Sequence, residues 1–171
     1  MNILINEFNR YKRLLEKTIA QISEEEFFKT VGEEDNSVAV ILKHLTGNLA
    51  SRFTDFLDSD GEKSWRNRDT EFDVSGMDKA ELMDSWNKAW SVLEDAVFTL
   101  NTDDMKRKVT IRSVEFTVEE ALARSLAHFS YHVGQIVFMG KLFKGGKWQF
   151  LSIAPGKIKE YNHNPTKEKG V

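Results

Sequence analysis

The stretch "TVEEALARSLAHFSYHVGQI", residues 117–136, carries a helix signal and a chemical one together. Thr117 and Glu120 have the spacing of a capping box, so a helix opens here and runs to about residue 142, where "KGGK" stops it. His128 and His132 lie four apart inside that otherwise apolar run. On a helix, residues four apart share a face with Cβ atoms about 5–6 Å apart, close enough for one ion to bridge two rings. Two imidazoles in an apolar core would compete for hydrogen-bond partners, and leaving either unsatisfied costs about 1–3 kcal/mol. A metal ion uses one nitrogen of each.

A third ligand stands in "VAVILKHLTGNLA", residues 38–50, where His44 sits among Val40, Ile41 and Leu45 on the face that a helical bundle buries. A lone histidine in such a place is more often a hydrogen-bonded core residue, and the pair at 128 and 132 shifts the balance. Three neutral imidazoles from two packed helices form a tripod suited to Zn²⁺ or Ni²⁺ with one position open. Phe129 stands where a zincin helix carries its glutamate base, which disfavours peptide hydrolysis. No Glu-x-x-His pair occurs in the second to fourth long helices, so one metal is expected rather than a di-iron pair.

The remaining periodicity supplies the scaffold. Ile3, Leu4, Phe8, Tyr11, Leu14, Leu15, Ile19 and Ile22 draw one apolar stripe along a first helix. Ser23 and Glu26 have capping-box spacing for a short turn, and Ser37 is the expected N-cap of a second helix over 38–57. The stretch "DSDGEKSWRNRDTEFDVSG" combines loop residues with Trp65 and Phe72, the signature of an ordered loop with aromatic anchors. Asp78 and Glu81 cap a third helix, in which Leu82, Trp86, Trp90, Leu93 and Val97 face the core. Val109, Ile111, Val114 and Phe116 flank Arg112 and Ser113 as a short β-hairpin before the last helix. Residues 147–171 lose helical spacing and hold both prolines, and are expected to be an irregular tail, mobile beyond about residue 164, with His163 exposed. The expectation is one all-α domain over 1–171, an antiparallel four-helix bundle with a hairpin and a tail.

Composition narrows the function classes. The 171 residues are 40% hydrophobic and 30% charged, the range of a single globular domain. The absence of cysteine excludes thiolate metal sites, disulfides and iron–sulfur clusters. A net charge of −3 offers no general attraction to nucleic acid, and no apolar run approaches the ~20 residues that span a bilayer. The N-terminus has neither a signal-peptide core nor a cleavage site, so a cytoplasmic location and a small-molecule substrate are expected, without nucleic-acid or membrane partners.

A histidine in "LKHLTGN", a hairpin, and then "TVEEALARSLAHFSYHVGQI" together resemble the DinB/YfiT-like superfamily over essentially the whole chain. "DGEKSWRNRDTEF" and "KWQFLSIAPGK" are similar to one subfamily of unassigned function. The resemblance implies a four-helix bundle, commonly a homodimer, with a metal on His44, His128 and His132. It also implies thiol-dependent chemistry of the kind run by bacillithiol S-transferases and mycothiol-dependent maleylpyruvate isomerase. Several members read His-Arg-Gly-Gln at the final motif, where this chain has His132, Val133, Gly134 and Gln135.

The expected mechanism is a Lewis-acid site that lowers the pKa of a bound water towards ~7 or stabilises a bound thiolate for attack on an electrophile. Asn48, one turn past His44, and Gln135, three residues past His132, are candidates to orient water or substrate, and Tyr131 is a candidate proton donor. Arg52 and Arg68 are the candidate cofactor-binding residues, on a rim shared with Asp55, Arg66, Asp69 and Glu71. Two rival readings stand beside this one: a hydrolase without a thiol, and a binding or scaffold bundle whose metal is structural or absent. A structural site would be closed by a fourth protein ligand such as Asp55, Glu115 or a tail residue.

Overall fold

The computed structural model describes residues 2–165, which form six helices and one two-stranded antiparallel sheet. The helices are α1 (Asn2–Ile19), α2 (Glu24–Phe28), α3 (Val38–Phe53), α4 (Lys79–Phe98), α5 (Val118–Lys144) and α6 (Ile158–His163), and the strands are β1 (Lys108–Ile111) and β2 (Val114–Thr117). Side-chain caps set the starts. Ser37 accepts from the Val40 N–H at the head of α3, and full capping boxes open α2 (Ser23 with Glu26), α4 (Asp78 with Glu81) and α5 (Thr117 with Glu120). Gly145, at a φ of 51°, ends α5.

Three boundaries differ from the sequence expectation. The second long helix stops at Phe53 rather than near 57, because Thr54 folds its N–H and hydroxyl back onto the Ala50 carbonyl and Asp55 adopts a φ of 47°. The turn expected at Ser23 is a short helix, and the expected irregular tail contains α6. The tail beyond 165, expected to be mobile, lies outside the described residues.

α1 packs along α5 and α3 along α4, and α5 also touches α3. Phe129 of α5 is fully buried at the centre, with ring centroids 6.1 Å from Phe8, 5.9 Å from Trp86 and 5.8 Å from Trp90. Both tryptophans are therefore core residues, and the Trp86 indole N–H donates to Glu16 at 3.2 Å. Val133 and Ile136 continue the same buried face of α5. Helical geometry then turns positions 128 and 132 away from the centre, towards the flank where α3 lies.

The long connection between α3 and α4 is pinned rather than loose. Arg112 and Ser113 form the hairpin turn at φ of 55° and 61°, a left-handed pair that usually calls for Asn-Gly. The Asp60 carboxylate compensates by accepting both turn N–H groups, at 2.8 and 2.7 Å. Burial alone would raise the Asp60 pKa, but the N–H donors of Ser113, Glu62 and Arg112 outweigh it and hold the group down to about 2. The Gly61 N–H also donates to the Thr110 carbonyl at 2.8 Å, and Arg112 Nε to Glu62 at 3.0 Å.

Phe129→Ala should cost about 3–5 kcal/mol in chemical denaturation, as expected for a fully buried aromatic. Phe138→Ala, on the 64%-exposed ring of the same helix, should change stability by less than about 0.5 kcal/mol.

Candidate metal centre

α3 presents His44, Asn48 and Arg52 one turn apart along a single face, and α5 presents His128 and His132 opposite its start. The three imidazoles converge. One nitrogen of each lies within 4.8 Å of the others, and the ring centroids are 4.7–5.2 Å apart. His44 Nε2 is 3.2 Å from His128 Nε2. Two nitrogens on one tetrahedral ion at about 2.0–2.1 Å would be about 3.4 Å apart, so this pair needs almost no rearrangement to share a cation.

Neighbouring groups settle which nitrogen two of the rings offer. His44 Nδ1 is 2.9 Å from Glu71 Oε2, and since a carboxylate can only accept, Nδ1 carries the hydrogen and Nε2 keeps its lone pair. His132 Nδ1 is 2.7 Å from Gln135 Oε1, which fixes that ring in the same way. Glu71 is itself held by Arg66, through Nε at 2.7 Å and Nη2 at 3.1 Å. Gly47 allows this approach, because a Cβ there would overlap the Glu71 carboxylate. The Phe72 ring stacks over His44 at 6.0 Å.

The electrostatics favour neutral His128 and His132 and an ionised Glu71. Burial, then the neighbouring His132 and His44, push His128 down to about 3. Burial also lowers His132, with Gln135 acting in the opposite sense and His44 in the same one. Burial disfavours the Glu71 anion, but hydrogen bonds from His44 and Arg66 and the Arg66 charge overcome it and hold its carboxyl below the usual range. Neutral imidazoles beside a fixed carboxylate are a fit donor set for a divalent cation. Among the described residues, no further histidine or carboxylate joins the group.

The rings of His44 and His128 form one wall of a cleft of about 430 Å³. Asn48, Arg52, Arg68 and Tyr131 line it too, so six of the residues singled out from sequence meet in one place. Tyr131 is half exposed, its ring 4.3 Å from that of His132 and 5.2 Å from that of His128. Gln135 stands beside the site on His132. Arg66 and Glu71, expected on the rim, instead form a buried ion pair behind His44. Asp69 is exposed in a 3₁₀ turn (Asp69–Phe72), Asp55 lines a different depression, Glu115 pairs with Lys108 across the hairpin, and His163 is exposed at the end of α6. Sequence reasoning did not find Arg112, Arg124 and Ser125 in the lining, nor Glu71 as the partner of His44. Gly47, a glycine inside the helix three residues past His44, was the one available sign of a close approach.

Over residues 1–157 the chain matches the family described as "Protein of unknown function (DUF1572)", and it belongs to that family. No curated protein and no solved structure matches it. No helix among the described residues is long and apolar enough to cross a membrane.

Glu71→Gln should weaken divalent-metal binding about 10–100-fold in a competitive chelator titration while the fold survives. A second expectation concerns acid. An unfolded imidazole titrates near 6.5 and folded His128 at about 3, so the unfolded chain takes up the proton first. Stability of the metal-free protein should fall as pH drops from about 6.5 towards 3, and less steeply in His128→Gln, as read from melting temperatures across that range.

Proposed function

We propose that this chain is a metal-dependent enzyme of the DinB/YfiT-like kind, built as a four-helix bundle around a three-histidine Zn²⁺ or Ni²⁺ site. The observation that carries the reading is the convergence of His44, His128 and His132, the first two of them on the wall of an open cleft, with no fourth protein ligand among the described residues. A structural site would be closed; an enzyme leaves room for a reactant. A bound divalent ion supplies Lewis acidity, favouring the deprotonated form of water or of a thiol.

The chain's own groups do the rest. Glu71 and Gln135 hold His44 and His132 with their Nε2 lone pairs towards the common centre. Asn48, one turn along α3, orients a reactant through its amide, and the Tyr131 hydroxyl donates a proton at the mouth of the cleft. Arg52 and Arg68, in the same lining, hold the cofactor or substrate. The first assignment is a thiol-dependent S-transferase acting on a small-molecule electrophile, in a cytoplasmic homodimer; a single-chain mass in sedimentation would exclude the dimer. One observation favours a hydrolase without a thiol instead. Val133, where several relatives carry arginine, is 1% exposed in the apolar core and brings no charge to the cleft.

Metal analysis of the purified protein decides the core of this reading. Wild type should hold about one divalent ion per chain, and His44→Ala and His128→Ala should lose it while keeping their helical circular dichroism. Equal metal in all three would refute the tripod. With the metal in place, turnover of electrophiles only when a low-molecular-weight thiol is supplied identifies the transferase, and turnover without thiol identifies the hydrolase.

A further inference from the structure

The cleft is chemically lopsided. His44 and His128 line it, and beyond them Arg124, one turn before His128 on α5, and Arg52, two turns past His44 on α3, make its other end; Arg68 from the long loop and Arg112 from the hairpin turn also belong to the lining. Among the described residues, no acidic side chain lines it. Arg112 is answered by Glu62, at 3.0 Å, but Arg52, Arg68 and Arg124 have no salt bridge among the described residues. In a chain whose net charge is −3, a pocket lined by one sign is not the product of overall composition.

Arg52 is the decisive member. It is 8% exposed, and its Nη1 is buried without a hydrogen-bond partner, packed so closely that a Cβ on Gly61 would lie 3.0 Å away. Burial first, and then Arg66, lower its pKa to about 10; Glu62 works against this, and Arg112 and Arg124 add to the lowering. A buried guanidinium that makes no salt bridge is a cost to the fold, reduced when an oxyanion docks beside it. Guanidinium is also the cation best matched to carboxylate and phosphate.

We propose that the arginine end of the cleft is an oxyanion subsite, and that the substrate is a small molecule carrying a carboxylate or phosphate there while its reacting group sits at the histidine end. This deepens the enzyme reading and rests on it for the second half only. The spacing sets the ligand's size. Arg124 precedes His128 by one turn and Arg52 follows His44 by two, so the anionic group lies about 6–12 Å along the helices from the metal ligands.

Calorimetric titration with inorganic phosphate and, separately, with succinate at constant ionic strength tests this on metal-loaded wild type, Arg52→Met and His128→Ala. Wild type should bind at least one of the two saturably, and the arm that saturates says whether phosphate or carboxylate is preferred. Arg52→Met should bind at least tenfold more weakly and, with its unanswered charge gone, melt higher than wild type without ligand. His128→Ala, which lacks the metal, should bind the anion within about threefold of wild type. No saturable binding to wild type, or equal binding by Arg52→Met, overturns the subsite. Loss confined to His128→Ala overturns it too, since the anion would then sit on the metal, and leaves the metal reading intact. Should Arg52→Met fail to fold, the double variant Arg68→Met/Arg124→Met, altered only at exposed positions, must show the same weakening or the proposal falls.

Discussion

The hydrogen bond from His44 Nδ1 to the Glu71 carboxylate governs the arrangement of the site. It selects the tautomer that leaves Nε2 free, 3.2 Å from the Nε2 of His128, and it brings the only carboxylate in contact with the histidines among the described residues. An imidazole without such a partner can turn, or can offer either nitrogen. With Glu71 held in turn by Arg66 and seated over Gly47, the ring is fixed from behind while it lines the cleft. The buried, mutually repelling environment that keeps His128 neutral acts to the same end, since a ligand must be unprotonated to bind.

That one contact explains the long connection between α3 and α4. The segment contributes Glu71, Arg66, Phe72 and Arg68, all within reach of His44 or the cleft. Asp60 ties it to the hairpin turn, and the same turn delivers Arg112 to the lining. Loop, hairpin and the histidine cluster are therefore one mechanical unit. The aromatic cluster around Phe129 supplies the rigid floor, on a helix that points its apolar residues inwards and its two histidines sideways.

Much of the helical plan was legible because helices write their period into the sequence. The capping pairs Thr117/Glu120 and Asp78/Glu81 marked two starts, and His128 and His132 announced a shared face by spacing alone. His44 was legible as a partner because an imidazole among Val40, Ile41 and Leu45 requires an explanation. Glu71 was not, being 27 residues away in a loop whose path no periodicity encodes. Arg52 and Arg68 were singled out from the sequence, but Arg112 and Arg124 were hidden for the same reason as Glu71: they come from other segments, and each alone reads as a solvated charge. The end of α3 was misjudged because Phe56 and Leu57 continue the apolar pattern, while the backbone had already turned at Thr54 and Asp55.

The central claim is that one cation is held by three imidazoles with a coordination position left for a reactant. X-ray absorption at the metal edge of the purified protein tests it directly. Three nitrogen scatterers with the outer-shell pattern of imidazole at about 2.0–2.1 Å, plus a light-atom ligand that exchanges when a small thiol is added, are predicted. A spectrum with fewer than three imidazoles, or a shell that no added ligand disturbs, would contradict it.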